Sequence, residues 1–346
     1  MKQEKVSMVQ ESFNPQQDKI FQGVSFALTL VTLFVVLHFG LIPGFLAGLA
    51  AFALTRGLAG TKLFKKAGSK ALSVAAAVVI IVPLLGIILA GFEVTQVVTT
   101  AVKDVPGLTD HLVNVALDWR ARLPGALSDH IPQERQALQT WLAHVMQEQA
   151  PMLAGVGKTW AHGLLIAFIG IIVGALAAST NSVPSDKPLA VAIRSRAATL
   201  YSAFVQIVVA QFWIAAINAG LTAIFLFALL PMFGSYIQYS AGLVLLTFVA
   251  GLLPIVGNLL CNGVLTLAGL GVGPHVALAC LVFLVAIHKL EYIISAKVVG
   301  SRISSSVWEV ILVIVAFEII FGMAGLVAAP LYYTYLKMDM KKFGWI

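Results

Sequence analysis

The stretch Val310–Pro330, "VILVIVAFEIIFGMAGLVAAP", contains a single ionisable residue, Glu318, in an otherwise uncharged run. Hydrocarbon solvates such apolar side chains and demands only that the backbone pair within the segment, which a helix achieves. About 20 residues at a rise of roughly 1.5 Å cross a ~30 Å bilayer core, so the run is predicted to be a membrane-spanning helix. The rest of the chain follows suit. Of 346 residues, 60% are hydrophobic and 11% charged, against about 25% charged in an ordinary soluble domain, and the mean hydropathy is +0.95. The expected class is an all-α, polytopic membrane protein.

Apolar blocks at Ile20–His38, Leu41–Leu54, Leu72–Gly91, Trp160–Ser179, Ala198–Leu230, Ala241–Val256, Val276–Leu290 and Val307–Tyr333 give about eight expected transmembrane helices. The polar leader Met1–Lys19 is long and no small-residue cleavage site follows the first block, so that block is read as a retained span rather than a signal peptide. Arg56, Lys62, Lys65, Lys66 and Lys70 in one linker, with Lys2, Lys5 and Lys19 in the leader, place those segments in the cytoplasm by the positive-inside rule. Lys187, Arg194 and Arg196 mark a second cytoplasmic loop, where "NSVPSDKP" is expected to start a short interfacial helix. Lys337, Lys341 and Lys342 put the C-terminus on the same side. Both termini are therefore expected to be cytoplasmic. Eight crossings leave Lys289, Lys297 and Arg302 outside, a conflict that requires a fold-back or a miscounted span.

Three regions follow: the leader and three spans over 1–92, a helical extracytoplasmic segment over 93–158, and a C-terminal transport region over 159–346. In the middle region Leu138, Trp141, Leu142, Val145 and Met146 form one apolar stripe, read as packing on neighbours or the membrane surface, or as a ligand-binding cap. In the last, Pro254, Gly257, Gly263, Gly269, Gly271, Gly273 and Pro274 interrupt an apolar run, and broken backbone at membrane depth is tolerated where it is buried in protein or lines a cavity. A re-entrant hairpin is expected near 254–274.

Candidate functional residues are the polar groups out of place. Glu318 stands deep in its apolar run, with Gly322 at i+4 and Gly325 at i+7 on one face; it either couples a proton or cation or bonds to a neighbouring helix. His288 and Glu291 at i, i+3, in "AIHKLEYI", are a proton or substrate handle, or the end of a helix with Lys289 snorkelling. Gln211 and Asn218 share one face of the fifth span, and Asn258 and Asn262 lie four apart in the expected hairpin. Such amides bind a polyol or a partly dehydrated cation, or join helices. Gly40, Gly44 and Gly48, and Gly170 and Gly174, form GxxxG patterns read as close-packing faces, with Pro43 a candidate hinge. Glu309 is read as interfacial. Cys261 and Cys280 lack metal spacing and are read as small buried hydrophobes. No P-loop, HExxH or GxSxG motif occurs. No enzyme, metal, cofactor or nucleic-acid partner is expected.

Leu253-Pro254-Ile255-Val256-Gly257, Val298-Val299-Gly300 and the ending "FGMAGLVAAPLYYTYLK" from Phe321 to Lys337, which contains Pro330, resemble the C-terminal signature of the autoinducer-2 exporter family of bacterial transporters. "YSAFVQIVVAQFWIAAINAGLTAIFLFAL" resembles that family's central span, so the likeness covers roughly 186–337. It implies a multi-span inner-membrane protein, with homo-oligomers among the expectations, that exports a small polar signalling molecule in quorum sensing or, as in other members, exchanges sodium and protons. The family carries an acid or amide followed by proline before the glycine that is Gly300 here; this chain has Ser295-Ala296. The leading expectation is an ion-coupled efflux transporter. A membrane scaffold that binds a partner through 93–158 is the alternative of a different class.

Overall fold

The computed structural model describes residues 15–103, 113, 114, 117, 134–180, 185–252, 256–303 and 306–346. Among these the chain is helical, without strands: α1 Pro15–His38, α2 Ile42–Ala59, α3 Lys62–Lys65, α4 Ala71–Lys103, α5 Arg135–Ser179, α6 Pro188–Ile224, α7 Leu230–Met232, α8 Ser240–Gly251, α9 Val256–Val272, α10 Pro274–Ile303 and α11 Val307–Lys342. Six helices among the described residues are long and apolar enough to cross a membrane: Lys19–His38, Ile42–Ala59, Gly68–Leu89, Gly157–Ser179, Pro188–Met232 and Trp308–Lys342. The chain divides into two compact units, one of Met1–Ala76, Ile169–Ile207 and Arg302–Ile346, the other of Ala77–Phe168 and Val208–Ser301.

In the first unit, α1 ends at a left-handed glycine. Gly40 has φ 65, its N–H donates to the Leu37 carbonyl and that of Leu41 to the Val36 carbonyl, the paired bonds of a Schellman cap. Gly40 therefore turns the chain, and Pro43 starts α2 within its first turn, where a missing N–H costs nothing. The other glycines are used for packing: a methyl group built on Gly170 would overlap the Gly44 carbonyl, and one on Gly174 the Gly48 carbonyl. The two GxxxG faces thus meet each other, backbone against backbone. Leu33, Val36, Leu37, Ile42, Leu200, Phe204, Leu331 and Tyr332 form the core of the unit, and the Tyr332 hydroxyl donates to the Leu33 carbonyl at 3.0 Å.

α11 departs from the straight span expected over Val307–Tyr333. At Gly322 the backbone takes φ 60 and ψ −145, a region that only glycine enters without strain, and the helix doubles back. A methyl group on Gly325 would overlap the Phe317 carbonyl, and the Phe317 and Tyr332 rings meet edge to face at 6.0 Å. At the open end Glu309 accepts from the Tyr333 hydroxyl and, at 2.9 Å, from Lys337 Nζ. Val307 and Lys337 therefore lie at one end of a helical hairpin. Glycines expected to receive another helix instead form the bend and the contact between its arms.

The second unit contains another hairpin. Cys261 Sγ lies 3.9 Å from the Leu246 carbonyl, and a methyl group on Gly257 would overlap the Ala250 carbonyl, so α8 and α9 run antiparallel, side by side. The glycine-rich run expected to be broken over 254–274 is a continuous helix, Val256–Val272, and the expected sixth span supplies the first arm. Helix propensity loses ~1 kcal/mol per glycine, but packing decides: Gly269 approaches Ala277 and Cys280 of α10, around a core of Leu265, Val276, Cys280 and Leu284. Pro254 lies outside the described residues; Gly300 is helical within α10. α6 begins at Pro188 and continues without the separate interfacial helix expected before it.

Candidate functional site: a polar cavity inside the second unit

Asn218 and Thr222 stand one turn apart on α6, so they share a face. Immediately beyond, Phe225–Leu229 forms a π turn, a wider coil common at functional sites, and the Phe225 ring stacks on Phe283 of α10 at 4.1 Å. Thr247 of α8 and Cys261 and Asn262 of α9 face the α6 pair, while Leu265, Leu284 and Ile287 close the remaining sides. The space between these side chains measures about 20 Å³. A cavity of roughly 10–15 Å³ holds one water, so this one admits a water or a monatomic ion and excludes a polyol.

Its chemistry is that of neutral dipoles. The Thr247 hydroxyl donates to the Leu243 carbonyl at 2.8 Å, which leaves its lone pairs as acceptors. Asn218 is 5% exposed and Thr222 2%. Burying an amide or hydroxyl without a partner costs about 1–3 kcal/mol, so clustering them in a hydrocarbon-facing fold is favourable where they bond to one another or to a polar guest. Gln211, two turns nearer the start of α6 on the same face, donates to the Gly251 carbonyl at 2.7 Å, capping the last turn of α8.

Asn218 and Asn262, read from sequence as separate candidates, thus line one cavity, with Gln211 bracing the hairpin next to it. The side chains of Asn258, His288 and Glu291 lie outside the described residues. Glu318 belongs to the first unit, exposed on the first arm of α11 with Ile319 and Ile320. Sequence reasoning missed Thr222 and Thr247, although Thr222 sits at i+4 from Asn218. It also missed a polar node in the first unit. Arg196 and Asp339, both without exposed side-chain surface, form an ion pair; Arg196 further donates to Ser25 Oγ at 2.8 Å and to the Gln22 carbonyl at 2.9 Å. The Phe343 and Phe26 rings flank its guanidinium at 4.6 and 5.0 Å. Breaking such a pair from one side costs about 3–5 kcal/mol. A lone aspartate in the lysine-rich tail was the available signal.

No protein-family model matches this chain, and no curated protein matches it.

Proposed function

We propose that the protein is a secondary transporter of the bacterial inner membrane, moving a small polar solute outward in exchange for a cation, with its translocation path in the second unit. The observation that carries this reading is the small polar cavity where Asn218, Thr222, Thr247 and Asn262 converge between a π turn and a helical hairpin. Discontinuous helices at membrane depth expose backbone and side-chain dipoles to a guest while the rest of the fold stays closed to lipid. In this conformation the cavity is sized for the cation or for water; a solute of several heavy atoms requires the α8–α9 arms to part. The same volume favours, as a second reading, exchange of a monovalent cation against protons.

The two hairpins also support a topology. If α1, α2, α4, α5, α6 and α10 cross and the α8–α9 and α11 hairpins each enter and return, both termini lie on one side. The basic segments 56–70, 187–196, 289–302 and 337–342 then all face the cytoplasm, as the positive-inside rule asks. The conflict over Lys289, Lys297 and Arg302 disappears.

Reconstitution in proteoliposomes tests the assignment. Asn218→Leu and Asn262→Leu are expected to reduce solute or cation flux at least tenfold, with size-exclusion profiles unchanged. Flux equal to wild type in both variants removes the cavity from the path.

A further inference from the structure

The connector between α2 and α4 reads "RGLAGTKLFKKAGSK" from Arg56 to Lys70, with five cations and no acid. No Asp or Glu occurs anywhere between Asp18 and Glu93. Arg56, Lys62, Lys65, Lys66 and Lys70 are all exposed. Among the described residues none of the five forms an ion pair, and two acids of this unit are engaged elsewhere, Asp339 by Arg196 and Glu309 by Lys337.

The geometry concentrates these charges. α3 is a short turn, and Lys66 continues its right-handed conformation at φ −62, so at about 100° per residue Lys62, Lys65 and Lys66 fall within roughly a 100° arc. Leu63, between them, is 73% exposed, while Phe64 is partly buried. Arg56 is held in place with its guanidinium 4.7 Å from the Phe52 ring centroid. Because Ala59 ends one membrane-length helix and Gly68 opens the next, the connector is too short to leave the bilayer surface. An uncompensated basic face with an exposed leucine beside it fits a ligand that has an anionic head and an acyl body.

We propose that the 56–70 connector is a binding site for an anionic phospholipid, whose phosphodiester is held by Lys62, Lys65 and Lys66 while its acyl chains contact Leu63. The proposal rests on the unit being embedded in a bilayer and is independent of what the protein transports. Each lysine near an anionic surface contributes about fivefold to binding, so removing three is expected to lower affinity on the order of a hundredfold.

The test is titration of the purified full-length protein in detergent with phosphatidylglycerol or phosphatidylcholine, read by native mass spectrometry and by thermal midpoint. Wild type is expected to retain phosphatidylglycerol and gain stability from it, and to do neither with phosphatidylcholine. Lys62→Gln/Lys65→Gln/Lys66→Gln should lose that binding, and the corresponding triple arginine variant should keep it. Lys19→Gln/Lys187→Gln/Lys341→Gln, which removes the same net charge at exposed positions elsewhere, should also keep it. Wild-type binding by the connector glutamine variant overturns the proposal, as does an equal loss in the control variant. An equal thermal shift from inorganic phosphate at the lipid's concentration would assign the site to free phosphate and overturn it as well.

Discussion

Gly322 is where one residue decides between a span and a hairpin. Its φ of 60 with ψ of −145 is held by no other residue without about 1–3 kcal/mol of strain, and Gly322→Ala is expected to lower the thermal midpoint in detergent by several degrees. Gly325→Leu is expected to cost more, because its side chain has no space beside the Phe317 carbonyl. A melt unchanged by both would show that the bend is not what orders the arms. The importance of these glycines was legible in the sequence; their use was not. Positions at i+4 and i+7 from Glu318 look identical whether a helix passes straight through or reverses, since glycine accepts positive and negative φ alike. Glu318 itself is a sharper case. A carboxyl on the exposed face of that arm, among Ile311, Val315 and Ile319, has no structural partner among the described residues. If it couples transport to protons, Glu318→Gln will abolish the pH dependence of flux in proteoliposomes while leaving the protein folded. Retention of that dependence removes it from the mechanism.

At the scale of the element, the α11 hairpin depends on its open end as well as its bend. Glu309, Tyr333 and Lys337 form one cluster, with Lys337 Nζ 3.1 Å from the Tyr333 hydroxyl as well as 2.9 Å from Glu309. A double-mutant cycle with Glu309→Gln and Lys337→Met is expected to give a favourable, non-zero coupling between the two side chains. Additive single effects would show the contact to be inert. Glu309 was read from sequence as interfacial; its partners Tyr333 and Lys337 were not foreseen, because they lie beyond a bend that hydropathy does not reveal. α6 departs from its expectation in another way. "PSDKP" does mark a helix start, yet nothing between Pro188 and Ile224 ends that helix, so the supposed interfacial turn and the span are one element. Boundaries set by breakers were readable here; reversals made by tertiary packing were not.

For the whole molecule, composition pointed to a membrane protein, and the six described helices long and apolar enough to cross a bilayer fit that reading. The path of the chain was harder, because half-length arms such as α8 have the hydropathy of a short span. The proposed topology predicts that, in a Cys261→Ala/Cys280→Ala background, cysteines at Lys66, Ser306 and Gly344 react with a membrane-impermeant thiol reagent from one side. A cysteine at Tyr236 should react only from the other. Labelling of Ser306→Cys and Gly344→Cys from opposite sides would return α11 to a full crossing. The buried Arg196–Asp339 pair carries a further consequence, for biogenesis. The partners are 143 residues apart, so at about 5–20 residues per second the ribosome releases the arginine roughly 7–30 s before the aspartate exists. During that interval the guanidinium must stay at the water boundary or lean on Ser25 and Gln22. The first unit cannot complete this contact until Asp339 has been made, so a product that stops short of it carries an uncompensated positive charge in place of the pair.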